Sequence, residues 1–189
     1  MPASKTNALP WLAVSVAVIA LDQATKALAL RELVLHEPHA VIPHLLNWTL
    51  AFNTGAAFSF LAGGSGWQTW LFGTLAVIVS LVLIAWLART PRREWRTALP
   101  LALVIGGALG NLADRLLHGH VVDFIQIYWR DWAWPAFNIA DSAICVGAVA
   151  LILFGMRGDT RYTIASRGVS PEYSWPDFLP SAGVALAPH

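Results

Sequence analysis

The chain has 189 residues, of which 57% are apolar and only 12% charged, with a mean hydropathy of +0.57 and a net charge of +1. That balance excludes an ordinary soluble domain and points to lipid as the solvent. So small a net charge gives no footing for a nucleic-acid partner, and the single cysteine, Cys145, excludes an internal disulfide.

Four stretches are long and apolar enough to cross a hydrocarbon core, which takes roughly 20 helical residues: Leu9 to Leu30, Trp67 to Leu87, Ala98 to Leu117 and Phe137 to Phe154. The first is too long for a cleaved secretory signal and carries Asp22 and Lys26 near its far end, so it is expected to stay in the mature protein. Ten Trp suit the two interfacial belts of a bilayer. Lys5, Arg89, Arg92, Arg93, Arg96, Arg157, Arg161 and Arg167 fall on one side of the four spans, and the positive-inside bias makes both termini cytoplasmic. The connections 31–66 and 118–136 then face outward, with Arg31 and Arg130 as exceptions to the charge bias. In the first, Trp48 to Thr54 alternates aromatic and β-branched residues like a short strand, Asn53-Thr54-Gly55 reads as its turn, and Gly63 to Gly66 as punctuation. Residues 155–189 carry prolines without apolar periodicity and read as a mobile cytoplasmic tail, dispensable for chemistry.

An ionisable side chain inside a span costs about 2.5–3.5 kcal/mol on insertion scales, so each needs a reason. Asp22, Asp114 and Asp141 lie on three different spans, and at 1.5 Å per residue each sits roughly 20–24 Å from the inner face. Asp123, just beyond the third span, can fold back to the same layer. Asn111 precedes Asp114 by three residues and Asn138 precedes Asp141 by three, so each pair shares a helix face. Arg115 supplies a cation able to pair with a carboxylate or hold a carbonyl. Plainer readings stand beside these. Asp22 and Lys26, spaced i and i+4, read as a structural ion pair. Asp114 with Arg115 reads equally as an interfacial anchor. Gly106, Gly107 and Gly110 read as close helix packing, and Cys145, in an apolar run, as a small hydrophobe. The six histidines show no metal-ligand spacing, and Ser59 and Ser142 lack a partnered base. Polar residues spread across the whole membrane would mark a proton-coupled transporter or channel; these cluster at one depth. A passive lipid-anchoring or assembly protein would leave the convergent acids unexplained.

Five blocks, Asp22-Gln23-Ala24-Thr25-Lys26, Asn53 to Ser59, Gly106 to Arg115, Val121-Val122-Asp123-Phe124 and Phe137 to Ser142, together resemble the ordered motif set of the lipoprotein signal peptidases, or signal peptidase II. The resemblance covers about Ala8 to Phe154. It implies a four-span all-α membrane protein with a small extracytoplasmic sheet and a short amphipathic helix. The activity implied is that of an aspartic endopeptidase of the bacterial cytoplasmic (inner) membrane. Such an enzyme cleaves prolipoprotein signal peptides ahead of a diacylglyceryl-modified cysteine. By the same resemblance Asp123 and Asp141 are the catalytic pair. Asn53, Asn111, Arg115 and Asn138 surround it, and Asp22 and Asp114, with Lys26, are structural. No metal or cofactor is expected, the partners are lipid-modified substrates and membrane lipids, and a monomer is expected.

Overall fold

The computed structural model describes residues 6–55 and 67–156. A short 3-10 turn, Leu9–Trp11, leads into α1 (Leu12–Glu32), followed by β1 (His39–Ile42) and β2 (Leu46–Asn53). The chain continues with α2 (Trp67–Arg89), α3 (Trp95–His118), β3 (Val121–Trp129), β4 (Trp132–Ala133) and α4 (Ile139–Met156). All four α-helices are long and apolar enough to cross a membrane, as expected. A helix satisfies most of its backbone groups internally, which lipid demands.

α3 is the most buried of the four. It has α1 on one side and α2 on another, and glycines set its closest approaches. A Cβ on Gly107 would overlap the Ala140 carbonyl of α4, and one on Gly106 would lie 2.9 Å from the Ser15 carbonyl of α1. One on Gly110 would stand 2.9 Å from Asp22 Oδ2. The glycine run is therefore a packing seam, as read from the sequence. Pro100 sits inside α3, and its carbonyl faces Gly147 of α4, where a Cβ would approach it to 2.8 Å. At the end of the bundle away from the sheet, Leu87, Ala98, Leu101 and Ile105 close around Ala8. Large apolar side chains elsewhere point away from the bundle, among them Leu28, Leu81 and Ile152. Exposed tryptophans bracket it: Trp67, Trp70, Trp129, Trp132 and Trp134 at the sheet end, Trp86 and Trp95 at the other. That spacing is the double belt of a membrane protein.

The sheet is antiparallel in the order β1-β2-β3-β4. β2 and β3 pair with Ala51 opposite Asp123 and Phe52 opposite Val122, with a bulge between Trp48 and Ala51. The strand expected at Trp48 to Thr54 is thus present but starts at Leu46 and ends at Asn53. The connection 118–136, read as a loop with Asp123 at its rim, holds β3 and β4 instead. β3 is a nine-residue central strand whose first four residues are buried. Val121 to Trp129 is rich in β-branched and aromatic residues, the composition a strand with neighbours on both sides takes. The amphipathic helix that the resemblance implied is not among the described residues. Ser59, the run Gly63 to Gly66, and the tail from residue 157 lie outside them.

Candidate active site

Two polar nodes meet where the sheet sits on the bundle. The first is centred on Lys26 of α1. Its ammonium lies 2.7 Å from Asp22 Oδ2 and 2.9 Å from Asp114 Oδ2, and donates to Asn111 Oδ1 at 3.0 Å. Three donors thus meet three acceptors, in a site where Lys26 is 2% exposed, Asp22 0% and Asp114 1%. A buried charge is tolerated only with such complete pairing. The i, i+4 ion pair read from the sequence is present, and Asp114 joins it.

Both acids of this node also hold backbone. Asp22 Oδ1 accepts the Ala140 N–H at 2.9 Å, satisfying one of the open donors at the start of α4. Asp114 Oδ2 accepts the Val122 N–H at 2.9 Å, fixing β3 one residue before Asp123. Asp114 is therefore an anchor, though for the strand and not through Arg115. Gln23 completes the node by donating to Asp114 Oδ1 at 2.8 Å and to the Gly110 carbonyl at 3.3 Å. Sequence reading passed over Gln23, although an amide next to a buried acid within a span carried the signal.

The second node holds Asp123 and Asp141. Asp123 arrives on β3, placed by three constraints. These are the Asp114 bond to Val122, the pairing with β2, and bonds from the Phe124 and Ile125 N–H groups to the Phe137 carbonyl at 3.1 and 2.9 Å. Asp141 sits in the first turn of α4, which Asn138 caps by accepting the Asp141 N–H at 2.8 Å. Two asparagines bridge the carboxylates. Asn138 Nδ2 donates to Asp123 Oδ1 at 2.7 Å, Asn111 Nδ2 donates to Asp141 Oδ1 at 2.7 Å, and the two amides meet at 3.2 Å between Asn138 Nδ2 and Asn111 Oδ1. Asn53, at the end of β2, hydrogen-bonds Asp123 and accepts the Gly55 N–H at 2.8 Å, giving the turn expected at Asn53 to Gly55.

Neither carboxylate in this node has a cation within salt-bridge distance among the described residues. Burial pushes the Asp123 carboxyl up from 3.8 to about 7, and the Asp141 charge adds to the effect, while bonds from Asn53 and Asn138 and the field of Lys26 oppose it. Arg115 does not pair with an acid. Its Nη1 donates to the Asn111 carbonyl at 3.1 Å and its guanidinium lies 5.4 Å from the Phe72 ring centre.

Asp141 opens onto a cleft of about 680 Å³ that Asn53 also lines, with an apolar wall including Trp132, Trp134, Phe137 and Ile144. Cys145, read as a small hydrophobe, is exposed on the same apolar wall. No group of histidine, cysteine and carboxylate side chains able to hold a metal occurs among the described residues. His118 and His120 have ring centres 6.0 Å apart, and His120 stacks on Phe52. The structure therefore gathers every residue singled out from the sequence, Asp22, Lys26, Asn53, Asn111, Asp114, Arg115, Asp123, Asn138 and Asp141, around the two joined nodes.

A family described as Signal peptidase (SPase) II matches residues 14–157. A lipoprotein signal peptidase of Xylella fastidiosa strain M12 is 58% identical over 150 residues, 79% of this chain and 90% of the relative. One from Pseudomonas aeruginosa strain UCBPP-PA14 is 58% identical over 146 residues, 77% of this chain and 86% of the relative. A bacterial membrane enzyme solved by the in meso method at 1.9 Å resolution superposes with a TM-score of 0.67 at 31% identity, covering 80% of this chain and 94% of that one. With sequence and fold in agreement over the same helices and sheet, the chain belongs to the signal peptidase II family.

Proposed function

We propose that this protein is an aspartic endopeptidase that cleaves the signal peptide from lipid-modified prolipoproteins on the N-terminal side of the diacylglyceryl cysteine. Membership of the signal peptidase II family supports the reaction class and the substrate. One observation carries the mechanism: two carboxyls from different elements, Asp123 and Asp141, are joined by the Asn111–Asn138 amide bridge, and one of them faces a cleft. Two such groups in a low-dielectric site share a proton, leaving one to activate water and the other to polarise the scissile carbonyl. The chemistry uses no metal or cofactor. The nearby guanidinium of Arg115 and the amide of Asn53 are the donors for substrate carbonyls.

The charge bias of the connections sets both termini in the cytoplasm and the sheet at the outer face of the inner membrane. Water then reaches the cleft from outside while a lipid-anchored substrate diffuses in sideways, and the enzyme works as a monomer. Against a transporter reading, the buried charged side chains among the described residues, Asp22, Lys26, Asp114 and Asp123, all lie in the half next to the sheet. The test is cleavage of a diacylglyceryl-modified precursor peptide by the purified protein in detergent. Wild type is expected to release the signal peptide, and Asp123→Asn and Asp141→Asn to be folded and inactive; full cleavage by either variant overturns the dyad.

A further inference from the structure

Of the two asparagines between the carboxyls, only Asn111 touches a cation. Its Oδ1 receives Lys26 Nζ at 3.0 Å while its Nδ2 donates to Asp141 Oδ1 at 2.7 Å. An amide is a dipole, so a positive charge on its acceptor end strengthens its donor end. Asn138 differs. Its Nδ2 is shared among Asp123 Oδ1 at 2.7 Å, Asn111 Oδ1 at 3.2 Å and the Val122 carbonyl at 3.3 Å, and among the described residues its Oδ1 accepts only the Asp141 N–H. Exposure runs the same way: Asp141 is half-buried on the cleft, whereas Asp123 is 2% exposed.

We infer that Lys26, acting through Asn111, is a positioning residue that keeps Asp141 as the ionised base and leaves the shared proton on Asp123. This rests on the dyad reading above and deepens it. The surrounding charges fit: Asp22 and Lys26 come from α1, Asp114 and Arg115 from α3, β2 brings the neutral Asn53, and His120 stands beside the start of β3. Lys26 is held between Asp22 and Asp114, while the Arg115 guanidinium acts without a salt bridge, and more strongly on Asp141 than on Asp123. Asp141 removes a proton from the cleft water as its oxygen bonds to the scissile carbon, and Asp123 protonates the carbonyl oxygen. As the diol collapses, Asp141 returns its proton to the leaving nitrogen while the C–N bond breaks. Asp123 recovers a proton from the hydroxyl that becomes the new carbonyl. Water is added across the peptide bond and both carboxyls end as they began.

The test is the pH profile of kcat/KM for the precursor peptide, measured on wild type, Asn111→Ala and Asn138→Ser. Loss of the Asn111 donor is expected to move the acid limb up by about one pH unit, because a carboxylate that loses a charge-assisted bond ionises later. The alkaline limb is expected to stay. Ser keeps a capping oxygen at position 138 but removes the donor to Asp123. That variant is expected to move the alkaline limb up by a similar amount and leave the acid limb in place. Lys26→Met, where it folds, is expected to behave like Asn111→Ala. Activity lost evenly at all pH with both limbs unmoved, or limbs moved in the opposite assignment, overturns the inference. Asp123→Asn and Asp141→Asn run alongside: if either still cleaves, the dyad itself has failed, whereas inactive variants with unmoved limbs defeat only the assignment of the proton.

Discussion

Four aspartates are linked through one polar network, yet they divide into two environments. Asp22 and Asp114 face an ammonium and each takes a backbone N–H from another element. Asp123 and Asp141 form no ion pair among the described residues and take their side-chain hydrogen bonds from amides. The first pair is stabilised as ions and does assembly work. The second is held where a second negative charge is unwelcome, which is the electrostatic setting the proposed dyad calls for. What separates the two pairs of acids is a single lysine and the direction in which the strand and helix backbones turn their N–H groups.

The largest break in that contrast comes from removing a dyad carboxyl. Asp141→Asn is expected to lower turnover of the lipid-modified precursor by about 10⁴-fold or to below detection, while the detergent melting curve stays cooperative. Next is Lys26→Met, which converts Asp22 and Asp114 into unpaired buried charges and is expected to cost about 3–5 kcal/mol, read as lost yield and a lower melting temperature. Adding Asp114→Asn should recover part of that loss, and a double variant no better than the single would show the node is not a pairing site.

A subtler effect concerns stability and pH at Asp123. Below about pH 3.8 the carboxyl is protonated folded or unfolded and costs nothing extra. Between 3.8 and about 7 the unfolded chain gives up a proton that the folded chain keeps, so stability falls as pH rises, and above 7 the cost is constant. Asp123→Asn removes that cost. It should raise the melting temperature by about 5 °C at pH 8 and leave it unchanged near pH 3.5; an equal shift at both pH values would contradict the burial argument. The smallest expected effect is Gly119→Ala, at the left-handed residue that ends α3. Its φ is +77° and nothing lies within 4 Å of a new Cβ, so the substitution costs only backbone strain, about 1 kcal/mol. Because Gly119 leads directly into β3, residual activity in this variant reports how far strand placement tolerates a strained entrance.

Much of this arrangement was legible in the chain. Spans are forced by the length lipid requires, and the rise per residue alone set Asp22, Asp114 and Asp141 at one depth. The Asp22–Lys26 pair followed from i, i+4 spacing, and the glycine seam from the need of small residues between helices in lipid. The dyad came from motif resemblance and not from spacing, since nothing local says that Asp123 belongs on a central strand. The run Val121 to Trp129 did carry strand composition, but its neighbours are Leu46–Asn53 and the two-residue strand after it, and sheet partners are long-range facts. β1 is four exposed residues beside Pro43, too short to announce itself. The reach of Asp22 to Ala140 and of Asp114 to Val122 is tertiary in the same way: a sequence shows that a buried acid needs a donor, not which backbone supplies it.

The contact between Asp22 and Ala140 spans 118 residues. During synthesis the first helix therefore enters the bilayer long before the group its carboxylate is meant to hold exists. Lys26, one turn along, lets that helix wait there as a self-neutralised segment. Only with the last helix in place can Asp141 reach Asn111, so the two carboxyls joined by the amides cannot come together until that helix has been made.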